Sequence, residues 1–328
     1  MIRFGIIGTN WITESFIRAG RELEGFEVTA VYSRTRERAD EYADQWDIPH
    51  RFTDLRELAA SNTVDAVYVA SPNAYHAEQA ILCMDHGLHV LCEKPMASNC
   101  AEVERMIAAA ERNGVLLMEA LKTTFLPNFH AIRDHLHKIG KVRRVFASFC
   151  QYSSRYDAYR AGKVLNAFDP SLSNGALMDL GVYGIYPVIS LFGPPLAVKA
   201  NAVMLESGVD GEGSLLLKYE GMDAVIMYSK ITHSNLPCEI QGEDGNIVFD
   251  KMSQPSSVQI VQRNGSVEDV TRTQAERTML YEIEEFMNLI RTGKTQSDVN
   301  SFAVSLQTMA VMDEARKQIG LVYPADVT

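Results

Sequence analysis

The feature that most limits how this chain can fold is the alternation of short apolar runs with helical stretches between residues 2 and 118. Residues 2–8 (IRFGIIG) form an apolar run that ends in glycine, and Trp11, Ile12, Phe16, Ile17 and Leu23 follow at near-helical spacing. Further strands are expected at 26–33, 64–70, 88–92 and 115–118, with helices at 35–46, 74–87 and 99–113 between them. These strands are apolar without alternating, as a sheet covered on both faces requires. The implied fold is α/β, an N-terminal Rossmann-type, doubly wound parallel sheet.

The pattern changes after residue 122. A long strand is expected at 142–151 and a helix at 179–193. Strands follow with little helix between them at 197–204, 213–220, 223–231, 237–241, 246–250 and 257–262, with Gly221 and Gly245 read as tight turns. This predicts a C-terminal α+β domain with a large, mostly antiparallel open sheet. Two helices, about 274–291 and 298–318, close the chain, the second placed to pack back on the first domain. The expected division is 1–122 for dinucleotide binding and 123–328 for substrate binding and oligomerisation, since 328 residues suit two cores better than one.

Charge and cysteine content narrow the function. With 31 Lys and Arg against 42 Asp and Glu, the formal charge is −11. Nothing in that balance favours nucleic acid or an anionic membrane, so small molecules and copies of the chain itself are the expected partners. The five cysteines, at 83, 92, 100, 150 and 238, form no Cys-x-x-Cys pair and no zinc spacing. They read as reduced thiols in a cytoplasmic protein with no metal. Met1–Gly5 leads directly into a strand, so no signal peptide is expected, and no apolar stretch reads as long enough to span a bilayer.

A dinucleotide site is expected where the first strand meets the first helix, because backbone N–H groups at a helix start suit a pyrophosphate. Of the usual Gly-x-Gly-x-x-Gly/Ala fingerprint only Gly8 is present, followed by Thr9, Asn10, Trp11, Ile12 and Thr13. Asn10 is expected to replace the second glycine through its tolerance of left-handed backbone. Trp11 is read as packing on the cofactor or in the core. At the end of the second strand, where NAD sites place an Asp or Glu, this chain has Ser33 and Arg34, with Arg36 and Arg38 behind. A hydroxyl and a guanidinium suit a 2′-phosphate, whereas a carboxylate repels it, so NADP(H) is preferred over NAD(H). Arg34 and Arg38 are the candidate phosphate partners, and Arg36 is expected to be solvated.

Beyond the 88–92 strand stands Glu93-Lys94-Pro95, where Pro95 permits a cis peptide that would aim the lysine. With GIIGTNWI at 5–12, VASPNAYHAEQA at 69–80, EKP at 93–95 and NGALMDLGVYGIYP at 174–187, the chain resembles the Gfo/Idh/MocA oxidoreductases over nearly its whole length. MEALKTTFLP at 118–127 is most similar to the dimeric dihydrodiol dehydrogenase and glucose–fructose oxidoreductase branch. The resemblance implies that Lys94 contacts substrate and nicotinamide ribose. It matches Asp179 and Tyr183 to the Asp-x-x-x-His/Tyr motif, and it places Ser71, Pro72, Asn73, His76 and Glu93 beside the cofactor. Tyr183 would exchange a proton with the substrate oxygen, Lys94 would tune it, and Asp179 would orient Lys94 or a substrate hydroxyl. Tyr186 is expected to pack.

Arg155, Tyr156, Tyr159, Asn166 and Asp169 make a polar, aromatic patch suited to a polyol and equally compatible with an ordinary surface loop, and Arg155, Tyr156 and Asn166 join Asp179 and Tyr183 as substrate candidates. Ser173-Asn174-Gly175 stands where many relatives have Gly-Gly, and Thr124 where the dihydrodiol branch often has Arg. The expected reaction is hydride transfer at a carbonyl or alcohol carbon of a sugar or polyol. The alternatives are a dihydrodiol or dicarbonyl oxidoreductase and a non-catalytic NADP-binding sensor. A homodimer or a higher even oligomer through the C-terminal sheet is expected.

Overall fold

The computed structural model describes residues 1–327. The chain divides into two compact units. The first joins Met1–Lys122 to Ala275–Ser305, and the second joins Thr123–Gln274 to the chain from Leu306 onward.

In the first unit, β1 (Ile2–Ile7), β2 (Phe26–Tyr32), β3 (His50–Phe52), β4 (Ala66–Val69), β5 (His89–Glu93) and β6 (Leu117–Ala120) make one sheet of order β3-β2-β1-β4-β5-β6. Every pairing is parallel. The order reverses direction beside β1, which creates the crevice where doubly wound sheets take ligands. The connecting helices are α1 (Trp11–Gly20), α2 (Arg36–Trp46), α3 (Leu55–Ala60), α4 (His76–Asp85) and α5 (Cys100–Asn113). Side chains of Asn10, Thr35, Asp54 and Asn99 accept from backbone N–H groups at the starts of α1, α2, α3 and α5, which satisfies donors that have no partner within the helix. β3 and α3 were not expected. β3 is a three-residue edge strand (HRF) and α3 has six residues, so neither carries a periodic apolar signal. In the core the Phe16 and Tyr68 rings stack at 3.9 Å, and Phe4 touches Phe16, Phe26 and Phe286. Each buried ring of this size contributes about 1.5–3 kcal/mol of apolar transfer.

The second unit begins with α6 (Pro127–Asp134), β7 (Val142–Cys150), α7 (Tyr156–Arg160) and α8 (Val182–Phe192). β8 (Ala197–Met204), β9 (Asp210–Lys218), β10 (Asp223–Ser229), β11 (Cys238–Gly242), β12 (Gly245–Phe249), β13 (Val258–Gln262) and β14 (Val267–Asp269) follow. With β7 they form an eight-stranded sheet of order β14-β13-β12-β11-β7-β10-β9-β8. It is antiparallel except where β10 runs parallel to β7. α9 (Leu280–Arg291) belongs to the first unit, and α10 (Phe302–Ile319) lies mostly in the second.

Two expectations need correction. Gly221, at φ +79°, does turn the chain between β9 and β10, but Gly245 is a strand residue paired with Gln262, and the turn before it is made by Glu243 and Asp244. One helical stretch, Pro170–Phe192, is also long and apolar enough to cross a membrane by length and composition. That window is 72% buried inside the protein, with α8 packed against β7 and β10. Gly184 allows the approach: a Cβ there would lie 2.5 Å from Ile226 Cγ2 on β10.

Candidate functional site

The loop from β1 into α1 is built around one glycine. Gly8 has φ +110°, and a Cβ on it would meet the Ala70 carbonyl oxygen at 2.5 Å. No other residue fits there. Asn10 does not adopt the left-handed backbone expected of it; at φ −113° it is extended and caps α1 instead. Its side-chain oxygen accepts from Ile12 N at 3.1 Å and Thr13 N at 3.3 Å, while its amide donates to Ala70 O at 2.8 Å. Thr13, standing where the fingerprint has its third small residue, donates its hydroxyl to Gly8 O at 2.9 Å. The close packing that a glycine normally permits is here achieved by a hydrogen bond. Trp11 is 66% exposed, which excludes the core reading, and Ile12 is half-buried.

Arg38 reaches back to this loop and donates to Thr9 O at 2.7 Å and to Thr9 Oγ1 at 3.0 Å, so the guanidinium ties the start of α2 to the start of α1. Arg34 is exposed just before the Thr35 cap, Ser33 is half-buried beside it, and Arg36 pairs with Asp40 on its own helix. No carboxylate stands at the end of β2, so the residues present fit a cofactor that carries an extra phosphate.

The Lys94–Pro95 peptide is cis, as the proline permitted. Buried groups hold the loop around it. His76 is 1% exposed and bridges two loops, with Nδ1 3.1 Å from Pro95 O and Nε2 2.8 Å from Ser71 O. Both ring nitrogens are thus engaged by backbone, and burial keeps the imidazole's pKa below its ordinary value. Ser71 donates its hydroxyl to Gln79 at 2.6 Å, and Pro72 and Asn73 are half-buried beside it. Glu93 is buried and accepts from the Tyr68 hydroxyl and from Lys94 N, so its carboxylate braces the loop from within. Burial raises the pKa of Glu93, and it pushes that of Glu119, which accepts from Met96 N at 2.9 Å, up to about 7. Glu282 on α9 is raised further for the same reason, and burial lowers Lys122. Lys94, itself half-buried, therefore stands on a loop backed by buried acids.

In the second unit the helix bearing the Asp-x-x-x-Tyr pattern begins with a π-helical turn, Leu177–Gly181, before α8. Such turns recur at functional sites because they re-aim one residue without ending the helix. Asp179 lies in that turn and Tyr183 in the α-helical part, a local change of pitch that residue spacing does not reveal. Pro187 has no N–H to close a turn onto the Tyr183 carbonyl. The Tyr183 ring meets Phe149 of β7 edge-on at 5.5 Å, and Tyr186 is fully buried, as expected.

Two further residues shape this centre, and sequence reasoning missed both. Lys230, just beyond β10, is 2% exposed and pairs with Asp179 at 2.9 Å. Asp210, at the start of β9, is fully buried and accepts from Ala176 N at 3.1 Å and Leu177 N at 2.7 Å. It caps the helix that carries Asp179 and Tyr183. Gly175, at φ +146°, is obligatory here, because a Cβ would lie 2.1 Å from Asp210 Oδ1. The departure Ser173-Asn174-Gly175 thus keeps the one glycine that the cap demands, with Ser173 itself at φ +54°. Thr124 is fully buried.

Of the substrate candidates on the following loop, Arg155 and Asn166 are exposed. Tyr156 packs its ring against Tyr152, Tyr159 and Phe168, and the Tyr159 hydroxyl accepts from Ser207 N. Asp169 accepts from Ser171 N and caps its own turn. None of the five cysteines forms a disulfide, and among the described residues no three His, Cys, Asp or Glu side chains are grouped to hold a metal ion.

Comparison with known proteins gives a consistent result. The family model described as an oxidoreductase family with an NAD-binding Rossmann fold matches residues 2–121, and the GFO/IDH/MocA C-terminal domain model matches residues 131–248. The chain is 59% identical over 326 residues to scyllo-inositol 2-dehydrogenase (NADP(+)) IolU of Bacillus subtilis (strain 168), with 99% of each chain covered. It is 32% identical to trans-1,2-dihydrobenzene-1,2-diol dehydrogenase of Mus musculus, again over 99% of each. Among solved structures it is similar to KijD10, a 3-ketoreductase from Actinomadura kijaniata in complex with TDP-benzene and NADP. There the TM-score is 0.83 and the identity 26%, over 97% of this chain and 98% of that one.

Proposed function

Because the chain belongs to the Gfo/Idh/MocA oxidoreductase family, we propose that it is an NADP(H)-dependent dehydrogenase of a cyclic polyol or sugar. The observation that carries the cofactor reading is the end of β2, where Ser33 and Arg34 replace the carboxylate of NAD sites and Arg38 braces Thr9. The substrate class rests on the 59% identity to an enzyme named for scyllo-inositol. The dihydrodiol alternative has a more distant relative behind it, at 32%.

When bound, the nicotinamide accepts or supplies the hydride. The chain's own residues do the rest. Gly8 and the start of α1 seat the pyrophosphate, and Ser33 with Arg34 and Arg38 takes the 2′-phosphate. Tyr183 takes the proton from the alcohol oxygen during oxidation and returns it during reduction. Lys94 steadies the negative charge that develops on that oxygen and on the phenol. Asp179 accepts a hydrogen bond from a neighbouring substrate hydroxyl, and Arg155, Tyr156 and Asn166 border the ring. Replacing Tyr183 by Phe should lower turnover at least about a hundredfold and leave the NADPH dissociation constant within about twofold. Unchanged turnover would remove Tyr183 from the mechanism. A sensor would bind NADPH with no turnover on any compound.

The reading extends to assembly and location. On the open face of the sheet, Leu216, Val225 and Phe146 lie side by side across β9, β10 and β7, and Leu216 is 45% and Met227 38% exposed. We take this face as the contact of a homodimer or higher even oligomer in the cytoplasm. Elution as a monomer at micromolar concentration would contradict it.

A further inference from the structure

We propose that Lys230 is a positioning residue that holds Asp179 as a fixed, ionised hydrogen-bond acceptor and ties it to the loop bearing Asn166. The inference rests on the reading of Asp179 given above. Its own basis is the geometry of one buried ammonium. Lys230 has a side chain 3% exposed, and its Nζ lies 2.9 Å from Asp179 Oδ2 and 2.9 Å from the carbonyl of Ala167, with the Phe168 ring centroid at 5.2 Å. Its backbone is pinned on both sides, since its N–H donates to Gly211 O at 2.9 Å and its carbonyl accepts from Ser153 N at 2.8 Å. A long flexible side chain in this setting has essentially one arrangement.

A buried lysine is an expensive way to fill space, and an apolar residue of similar volume commonly serves stability as well or better. What the ammonium supplies that an apolar residue does not is charge and direction. It disfavours protonation of Asp179, whose side chain remains 37% exposed. An ionised carboxylate is an acceptor only, so the ligand group it receives must be a donor, as a hydroxyl beside the reacting carbon is. The bond to Ala167 carries the same constraint into the turn Asn166–Phe168. One side chain therefore sets the acceptor and the loop together.

Asp179 in the π-helical turn and Asp210 at the start of β9 both face Lys230. Glu212, the next carboxylate on β9, is engaged by the hydroxyls of Ser229 and Thr232. Asp210 accepts from the backbone of the helix start, whereas Asp179 pairs with Lys230 and remains 37% exposed.

The test is the pH dependence of kcat and KM for the preferred polyol in Lys230→Met, Lys230→Arg, Asp179→Asn and the double variant Lys230→Met with Asp179→Asn. Lys230→Met should raise KM about tenfold or more and move the acidic limb of kcat/KM up by about one pH unit, with NADPH affinity unchanged. Lys230→Arg, which keeps the charge, should leave that limb at the wild-type position. The double variant should be no worse than Asp179→Asn alone, because the two groups act as a unit. Should Lys230→Met not be recovered folded, Lys230→Gln drops the charge while keeping a donor for Ala167, and carries the same expectation. If Asp179→Asn is impaired while the neutral Lys230 variant keeps the wild-type profile, the inference about Lys230 falls alone. If Asp179→Asn turns over normally, the role given to Asp179 falls and this inference with it.

Discussion

Replacing Asp210 by asparagine isolates the cost of keeping a charge inside the cap of the helix that carries Asp179 and Tyr183. Asp210 is fully buried, and burial, opposed by its two backbone N–H bonds and by Lys230, pushes its carboxyl from 3.8 up to about 6. A folded pKa above the unfolded one means that the native state binds the proton more tightly. Stability is therefore fully present below the unfolded value and falls as pH rises through the window between the two. The shift is about two units, and at 1.36 kcal/mol per unit the loss is about 3 kcal/mol once the pH exceeds about 6. Asparagine resembles the protonated acid in shape and polarity and does not titrate. The stability of Asp210→Asn relative to wild type should thus rise by about 2.5 kcal/mol between about pH 4 and pH 7.5. Urea unfolding followed by far-ultraviolet circular dichroism measures this, and hydrogen exchange in peptides covering residues 174–182 localises it. Tryptophan emission is a poor substitute, since Trp11 and Trp46 both lie in the first unit. A stability difference that stays flat with pH would refute the reasoning. One that moves the other way would mean that the N–H donors and Lys230 outweigh burial.

Three other expectations follow from the same geometry. Gly8→Ala places a Cβ 2.5 Å from the Ala70 carbonyl at a φ of +110° and should weaken NADPH binding at least about tenfold, read by quenching or enhancement of cofactor fluorescence. Arg34→Ala should raise the KM for NADPH about tenfold or more and change that for NADH little, as steady-state rates with both cofactors will show. Gly184→Ala meets Ile226 at 2.5 Å and should cost about 1–3 kcal/mol as a lowered thermal midpoint in calorimetry, because the helix cannot back away from β10 without disturbing the core.

The parts of this protein that were legible in its sequence are those that depend on periodicity. Apolar runs such as 64–70 and 88–92 announced a parallel sheet, because burial on both faces leaves a mark in composition. Gly8 and the cis bond before Pro95 were legible because few residues tolerate those backbones. Asn10 was chosen for the right place and the wrong reason: a left-handed turn and a helix cap both favour asparagine, and only the backbone angles separate them. Short edge elements such as β3 left no pattern. Lys230 and Asp210 were invisible for a different reason. Lys230 fell near the end of the strand expected at 223–231 and Asp210 just before the one expected at 213–220; neither position marks a buried charge, and their burial follows from which strands become neighbours. The π-helical turn under Asp179 was hidden as well, since residue spacing alone cannot report a local change of pitch.

On the function proposed, this chain moves a hydride between NADP(H) and a polyol or sugar carbon. The most direct test is the initial rate of NADP+ reduction with a panel of cyclic and linear polyols, aldoses and dihydrodiols, run in parallel with NAD+ and with Lys94→Met. Turnover on cyclic polyols or sugars, a clear preference for NADP+, and loss of rate in the Lys94 variant are expected. Tight NADPH binding with no turnover on any compound, or turnover indifferent to Lys94, would contradict it.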